Sequence, residues 1–353
     1  MKILNTAVLA MAIFSASAIA GEHTINAVGK TGWIYRNNDT AGVANSSSFN
    51  MDYLRTTFAG VVSPSVKYFL TVDLLGTTGS DVVDGTSTLI DEAFVTKTFS
   101  TATSFSVGKK AVLIGGREYD YLNFDRYSLS GFYNATPTNQ VGLTVSQEFA
   151  GNTFIAQYFN GNKENGQTNT NAQSKFGYSA GWYGNILDGL IKPIVAYTVV
   201  PKAALSNTTT GAGTRVNKGN DAFMAAGIQF NLPMGLTIEA DYDMLIEKDA
   251  TGATTAKKDL KTTSMVGLIR YATERFAPFV KFISDTSKLE STKTRSRLAY
   301  DLGFEFKESK DDMLRYHVVY SGSSVKTGIN TTTVKTSPSS ILIGLKFDAA
   351  ILK

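Results

Sequence analysis

Residues 298–307 read LAYDLGFEFK, and the fold follows from how they alternate. Leu298, Tyr300, Leu302, Phe304 and Phe306 hold the even positions, Ala299, Asp301, Gly303, Glu305 and Lys307 the odd ones. Successive side chains of an extended strand point to opposite faces. One face here is wholly apolar and the other small or charged, which suits a strand set between hydrocarbon and water. Residues 236–244 repeat the pattern: Leu236, Ile238, Ala240, Tyr242 and Met244 oppose Thr237, Glu239, Asp241 and Asp243. Leu314, Tyr316, Val318 and Tyr320 oppose Arg315, His317, Val319 and Ser321, and Ile341, Ile343, Leu345 and Phe347 oppose Leu342, Gly344 and Lys346. Stretches 67–74, 141–149 and 175–183 alternate likewise.

Outward from these, strands are expected at 25–35, 49–61, 89–99, 104–114, 153–159, 191–199, 222–230, 262–271 and 276–284. The total is about sixteen, with about fourteen to eighteen compatible, because weak signals shift boundaries. Short links are expected at 63–65, 100–103, 150–152, 231–235, 272–275 and 308–312, and an intermediate turn at 184–190. Longer polar ones alternate with them at 37–48, 76–88, 115–139, 160–174, 201–220, 247–259, 286–294 and 322–338. Alternating short turns and long loops is the habit of a transmembrane antiparallel β-barrel. A soluble β-sandwich also hides one apolar face. It accounts poorly for so many strands, and for Trp33, Tyr35, Phe149, Trp182, Tyr271 and Phe347 near strand ends, where interfacial girdles sit.

The N-terminus sets the destination. Met1-Lys2 is basic, 3–17 is mostly apolar, and Ala18-Ile19-Ala20 is a cleavage signal, so 1–20 is read as a secretory signal peptide. Residues 21–353 are read as one barrel domain. No other segment offers the roughly 18 to 20 apolar residues of a membrane helix. The chain has no cysteine, so stability is expected from a large hydrogen-bonded sheet rather than from disulfides. A net charge of +4 over 353 residues, without a basic face, argues against nucleic acid as a partner.

A signal peptide, about sixteen amphipathic strands and a long third connection together resemble the general porin family of Gram-negative outer membranes. The resemblance covers the mature chain and rests on architecture rather than on a short motif. It implies a third extracellular loop folded into the lumen. Here that loop is 115–139, GGREYDYLNFDRYSLSGFYNATPTN, with Arg117, Glu118, Asp120, Asp125 and Arg126 as constriction residues. It also implies a homotrimer in outer-membrane lipid, a basic wall opposite the loop, and a water-filled pore for passive diffusion of ions and small hydrophilic solutes. Arg55, Lys67 and one of Lys109 or Lys110 are the early candidates for that wall. In the lumen phase farther round stand Arg270, Lys281, Arg297, Arg315 and Lys346, interspersed with Asp73, Glu148, Glu239, Asp241, Asp243, Asp301 and Glu305. The family clusters arginines on early strands, and only Arg55 fits that well, Lys97 having no clear phase. The family also ends on an aromatic residue, whereas six residues follow Phe347.

An anion- or sugar-selective channel, for which Tyr119, Tyr121, Phe124 and Tyr127 would begin an aromatic ladder, is the alternative. An adhesin or receptor barrel would show long repetitive or strongly charged loops. No enzyme is expected: there are two histidines, His23 and His317, and no spacing that joins either to a serine and an orienting acid. No cofactor is expected, and no metal site either. Asp81 and Asp84 are carboxylates that could hold calcium, but they read more simply as solvated loop charges.

Overall fold

Leu298, Tyr300 and Leu302 are 51%, 39% and 48% exposed, whereas Ala299 and Asp301 are 0% exposed. The period-two alternation of LAYDLGFEFK is thus a physical division between an outer apolar face and an enclosed one. The computed structural model describes residues 22–39, 43–75, 90–120, 125, 127–137, 139–161, 176–201, 205–206, 215–216, 220–248, 258–290, 292–309, 313–328 and 334–352. Sixteen long strands follow one another: β1 His23–Asn37, β2 Ser46–Ser63, β3 Val66–Asp73, β4 Ile90–Thr98, β5 Thr103–Lys110, β6 Gln140–Phe149, β7 Asn152–Asn160 and β8 Phe176–Tyr183 come first. β9 Ile191–Pro201, β10 Asn220–Leu232, β11 Leu236–Glu247, β12 Leu260–Tyr271, β13 Phe276–Leu289, β14 Thr292–Phe306, β15 Leu314–Thr327 and β16 Ser339–Leu352 complete the set.

Each strand pairs antiparallel with the next, and β16 pairs with β1 from Asn37↔Ser339 to Ile25↔Leu352. The sheet therefore closes on itself, which removes both edges and satisfies the backbone ladder all round. β16 runs on past Phe347 through Ala349 and Ile351, and Phe347 lies opposite Gly29. One three-residue strand, Val334–Thr336, adds to the end of β15. A separate two-residue pair joins Leu205–Ser206 to Arg215–Val216.

Three expectations are corrected. The strand expected over 104–114 ends at Lys110. Ala111 and Leu113 turn their amides to the side chains of Glu92 and Gln157 instead of to a neighbouring strand, and Val112 and Ile114 enter an apolar cluster. The loop expected at 286–294 is the tip of a hairpin, paired from Thr286↔Ser296 to Leu289↔Thr292 with a register shift after Ser287. Apart from Leu289 its residues are polar on both faces, so the alternation fades while the ladder continues. The loop expected at 322–338 starts late for the same reason, β15 continuing to Thr327.

The enclosed face is not uniformly polar. Val112, Ile114 and Phe132 pack with Phe159, Val200, Phe223, Ala225 and Leu245 in one buried cluster. Leu245 shares its phase with Asp241 and Asp243, so β11 changes from acidic to apolar along a single face. The expected signal peptide, the bulk of the loops at 76–88, 160–174, 201–220 and 247–259, and Asp81 and Asp84 lie outside the described residues.

Candidate functional site

The connection between β5 and β6 carries the densest polar contacts with the enclosed strand faces. Gly115 and Gly116 start it with φ of +88° and +81°, backbone that glycine adopts without strain. A Cβ at Gly115 would fall 2.5 Å from the Ala196 Cβ, so the chain can lie this close to β9 only with glycine there. A one-turn helix, α1 Arg117–Asp120, follows. The backbone N–H groups of Arg117 and Glu118 donate to the two oxygens of Asp241 at 2.7 and 2.8 Å. A carboxylate receiving two adjacent helix-terminal amides satisfies donors that the helix itself leaves unpaired.

Glu118 accepts from Lys281 Nζ at 2.6 Å and from the Ser130 amide at 3.1 Å, and Lys281 also donates to the Ser128 carbonyl at 2.7 Å. Arg117 bonds Asp120 at 3.1 Å and the Lys192 carbonyl, while Tyr183 Oη donates to Asp120 at 3.3 Å. Ser128 gives its amide and hydroxyl to Asp301 at 3.0 and 2.6 Å, and Arg297 donates to the Leu129 carbonyl at 2.6 Å. A second short helix, α2 Gly131–Asn134, is capped by the Ser130 hydroxyl accepting from Tyr133. Its Phe132 amide donates to Ser264 Oγ at 3.1 Å, and Ser264 donates in turn to Asp285 at 2.6 Å.

Glu305 is the focus of a third group. Arg270, Arg315 and Lys346 lie at 3.1, 3.4 and 2.5 Å from its carboxylate, and Tyr127 Oη donates to it at 3.2 Å. Asp125 shares Arg315 and Lys346 at 3.3 and 3.0 Å. The Tyr127 ring has Lys30 and Lys346 over it at 4.6 and 4.7 Å and stacks on Phe279 at 5.3 Å. Burial, with the Glu305 and Asp125 carboxylates beside it, holds this phenol well above the ordinary tyrosine range and therefore neutral.

The structure thus brings Arg117 and Glu118 against Asp241 and Asp125 against Arg315. Asp120 instead bonds Arg117 and Tyr183, Arg270 reaches Glu305, and Arg297 bonds the Leu129 carbonyl and Asp285. Asp243, buried beside Asp241, faces Gly116, whose Cβ position lies 3.0 Å from its Oδ1. Glu239 is buried one step along β11. Arg55 stands apart, paired with Asp91 and set against the Tyr53 ring; Asn139 also donates to Asp91. Lys67 is exposed near the short-turn end of β3, far in register from these contacts. Arg126, Tyr121 and Phe124 lie outside the described residues.

Lys30, Gln157, Ser264 and Asp285 were not singled out by sequence. Lys30 and Asp285 sit in stretches whose polar residues alternate with glycine or serine, so phase alone gives them no role. His317 is 1% exposed, and among the described residues neither ring nitrogen has a hydrogen-bond partner. It meets Tyr127 edge-on at 5.8 Å, and no serine or carboxylate among the described residues is bonded to it.

No protein-family profile and no curated protein sequence matches the chain. Solved structures do, over nearly its whole length. The anion-selective porin from Comamonas acidovorans matches with a TM-score of 0.68 at 12% identity, over 93% of this chain and 100% of that one. The outer-membrane channel DcaP of Acinetobacter baumannii gives 0.67 at 10% identity, over 93% and 97%. The trimer form of the outer-membrane protein OmpT of Vibrio cholerae gives 0.64 at 12% identity, over 94% and 100%. At such identities the likeness establishes the fold, a sixteen-stranded barrel of the kind found in Gram-negative outer-membrane porins.

Proposed function

We propose that this protein is an outer-membrane porin, a water-filled channel for passive diffusion of ions and small hydrophilic solutes, without enzymatic activity. The observation that carries the reading is the set of bonds from residues 111–139 to the enclosed faces of a closed barrel. These bonds reach β4, β7 to β9 and β11 to β16. The segment lies within the lumen and narrows it. The aqueous path runs beside it, along the enclosed faces of β2 to β4, where Arg55 and Lys67 stand.

Charged groups beside a narrow path set its ion preference through their local field. Here Arg55 is offset by Asp91, and Arg270, Arg315 and Lys346 by Glu305 and Asp125, so a weak ion preference is expected. Residues 1–20 direct export, residues 21–353 form the barrel domain, and three copies associate in the outer membrane; the trimer form of the OmpT neighbour supports that last point. The test is conductance of the detergent-folded protein in planar bilayers under a salt gradient. Stepwise openings in groups of three with a small reversal potential are expected. A correctly folded, heat-modifiable barrel that passes no current would overturn the reading.

A further inference from the structure

A polar pocket lies on the enclosed face, near the long-connection end of the barrel. It has a volume of about 200 Å³, and Arg36, Asn38, Arg297, Ser321, Ser323 and Ser340 are among the residues that line it. Strand register explains how distant parts of the sequence meet there. Arg36 on β1 pairs with Ser340 on β16, Ser340 with Ser321 on β15, and Ser321 with Asp301 on β14. Directly paired residues share a face, so a guanidinium, two hydroxyls and a carboxylate form a row across four strands.

The carboxylate end of the row is already occupied, because both Asp301 oxygens accept from Ser128. Arg297 is engaged by the Leu129 carbonyl and by Asp285 at 3.3 Å. Arg36 is different. Among the described residues it has no ion pair, and Ser321, Ser323 and Ser340 have no side-chain hydrogen bond. Among the described residues the pocket therefore offers one positive charge without an ion pair and a set of hydroxyls with unfilled capacity.

We propose that it binds a small carboxylate-bearing solute, the Arg36 guanidinium taking the carboxylate by two parallel N–H bonds while Ser321 and Ser340 donate to its oxygens. Planar two-point recognition of a carboxylate is what a guanidinium does best. Pockets for drug-sized molecules run to about 300–1,000 Å³, so this one admits a solute of only a few non-hydrogen atoms. A neutral polyol of the same size makes the hydroxyl contacts but gains no charge pairing from Arg36. The pocket's use in passage rests on the channel reading, whereas binding itself does not.

The experiment is saturation-transfer NMR of the detergent-folded protein with L-lactate or glycerol, and with inorganic phosphate as a competitor of lactate, at constant ionic strength, beside bilayer currents measured in the same salts. Saturable lactate binding is expected, weakened about tenfold by Arg36→Gln and less by Arg36→Lys, with the Ser321→Ala/Ser340→Ala double variant also weaker. Heat-modifiability checks that each variant is folded. The proposal is overturned if lactate does not saturate, if Arg36→Gln binds it unchanged, or if glycerol or phosphate binds as tightly. Binding without conductance would sink the channel reading and keep the pocket; conductance without binding would do the reverse.

Discussion

Glu305 receives Arg270, Arg315 and Lys346, and Lys346 is 0% exposed, so the carboxylate balances charge that has no access to water. Removing one partner of a buried charge group leaves the others uncompensated, at a cost of about 3–5 kcal/mol. Glu305→Gln is therefore expected to lower the temperature at which the barrel unfolds in SDS, read by gel mobility. It also leaves the enclosed face one negative charge short, so the reversal potential should move toward anions. An unchanged potential would show that the charge of Glu305 does not reach the conducting path. Asp241 acts on backbone rather than on charge. Asp241→Ala orphans the amides of Arg117 and Glu118, each worth about 1–3 kcal/mol when buried without a partner. Faster hydrogen exchange at these two amides than in the parent protein is expected, and equal rates would show that another acceptor takes over.

The 111–139 segment is held by polar bonds on one side and by apolar packing on the other. Phe132, 2% exposed, packs edge-on against Phe223 with ring centroids 5.7 Å apart. Phe132→Ala leaves a cavity and costs about 3–5 kcal/mol. Because the strands do not depend on Phe132 for their ladder, the loss should fall on the segment: noisier, larger single-channel currents from a barrel that still resists SDS. A quiet, unchanged channel would show that Phe132 does not anchor it. Gly303 works from the wall. A Cβ there would lie 2.0 Å from Phe279 Cζ, and Phe279 is the ring on which Tyr127 stacks. Gly303→Ala is expected to displace that stack and change conductance in the same sense as Phe132→Ala, while retention of the parent conductance would show that the ring can shift harmlessly. Nothing in LAYDLGFEFK announced this use of glycine, since the need for it comes from a ring one strand away.

At the scale of the molecule, stability is a matter of closure. Residues 348–352 extend the seam between β1 and β16 beyond Phe347. There Asn26 also donates to Asp348 at 2.9 Å, and the Asp348 amide donates to the Met313 carbonyl at 3.0 Å. Truncation after Phe347 shortens the seam without opening it, so a folded barrel with a lower unfolding temperature is expected on heated gels. Failure to fold at all would mean that the seam is completed from its C-terminal end. The sequence by itself determined the strands, their faces and the barrel, because period-two alternation between two solvents is a local property written residue by residue. It also named Arg117 and Glu118 as charges of the long connection, and Asp241, Arg270 and Arg315 as charges of one strand phase. Only the tertiary structure decided that Glu118 meets Lys281, that Asp301 holds Ser128, and that Val112 and Ile114 leave the wall for an apolar cluster. Those contacts join residues that the sequence separates by scores of positions, and barrel closure, not any local pattern, fixes which of them meet.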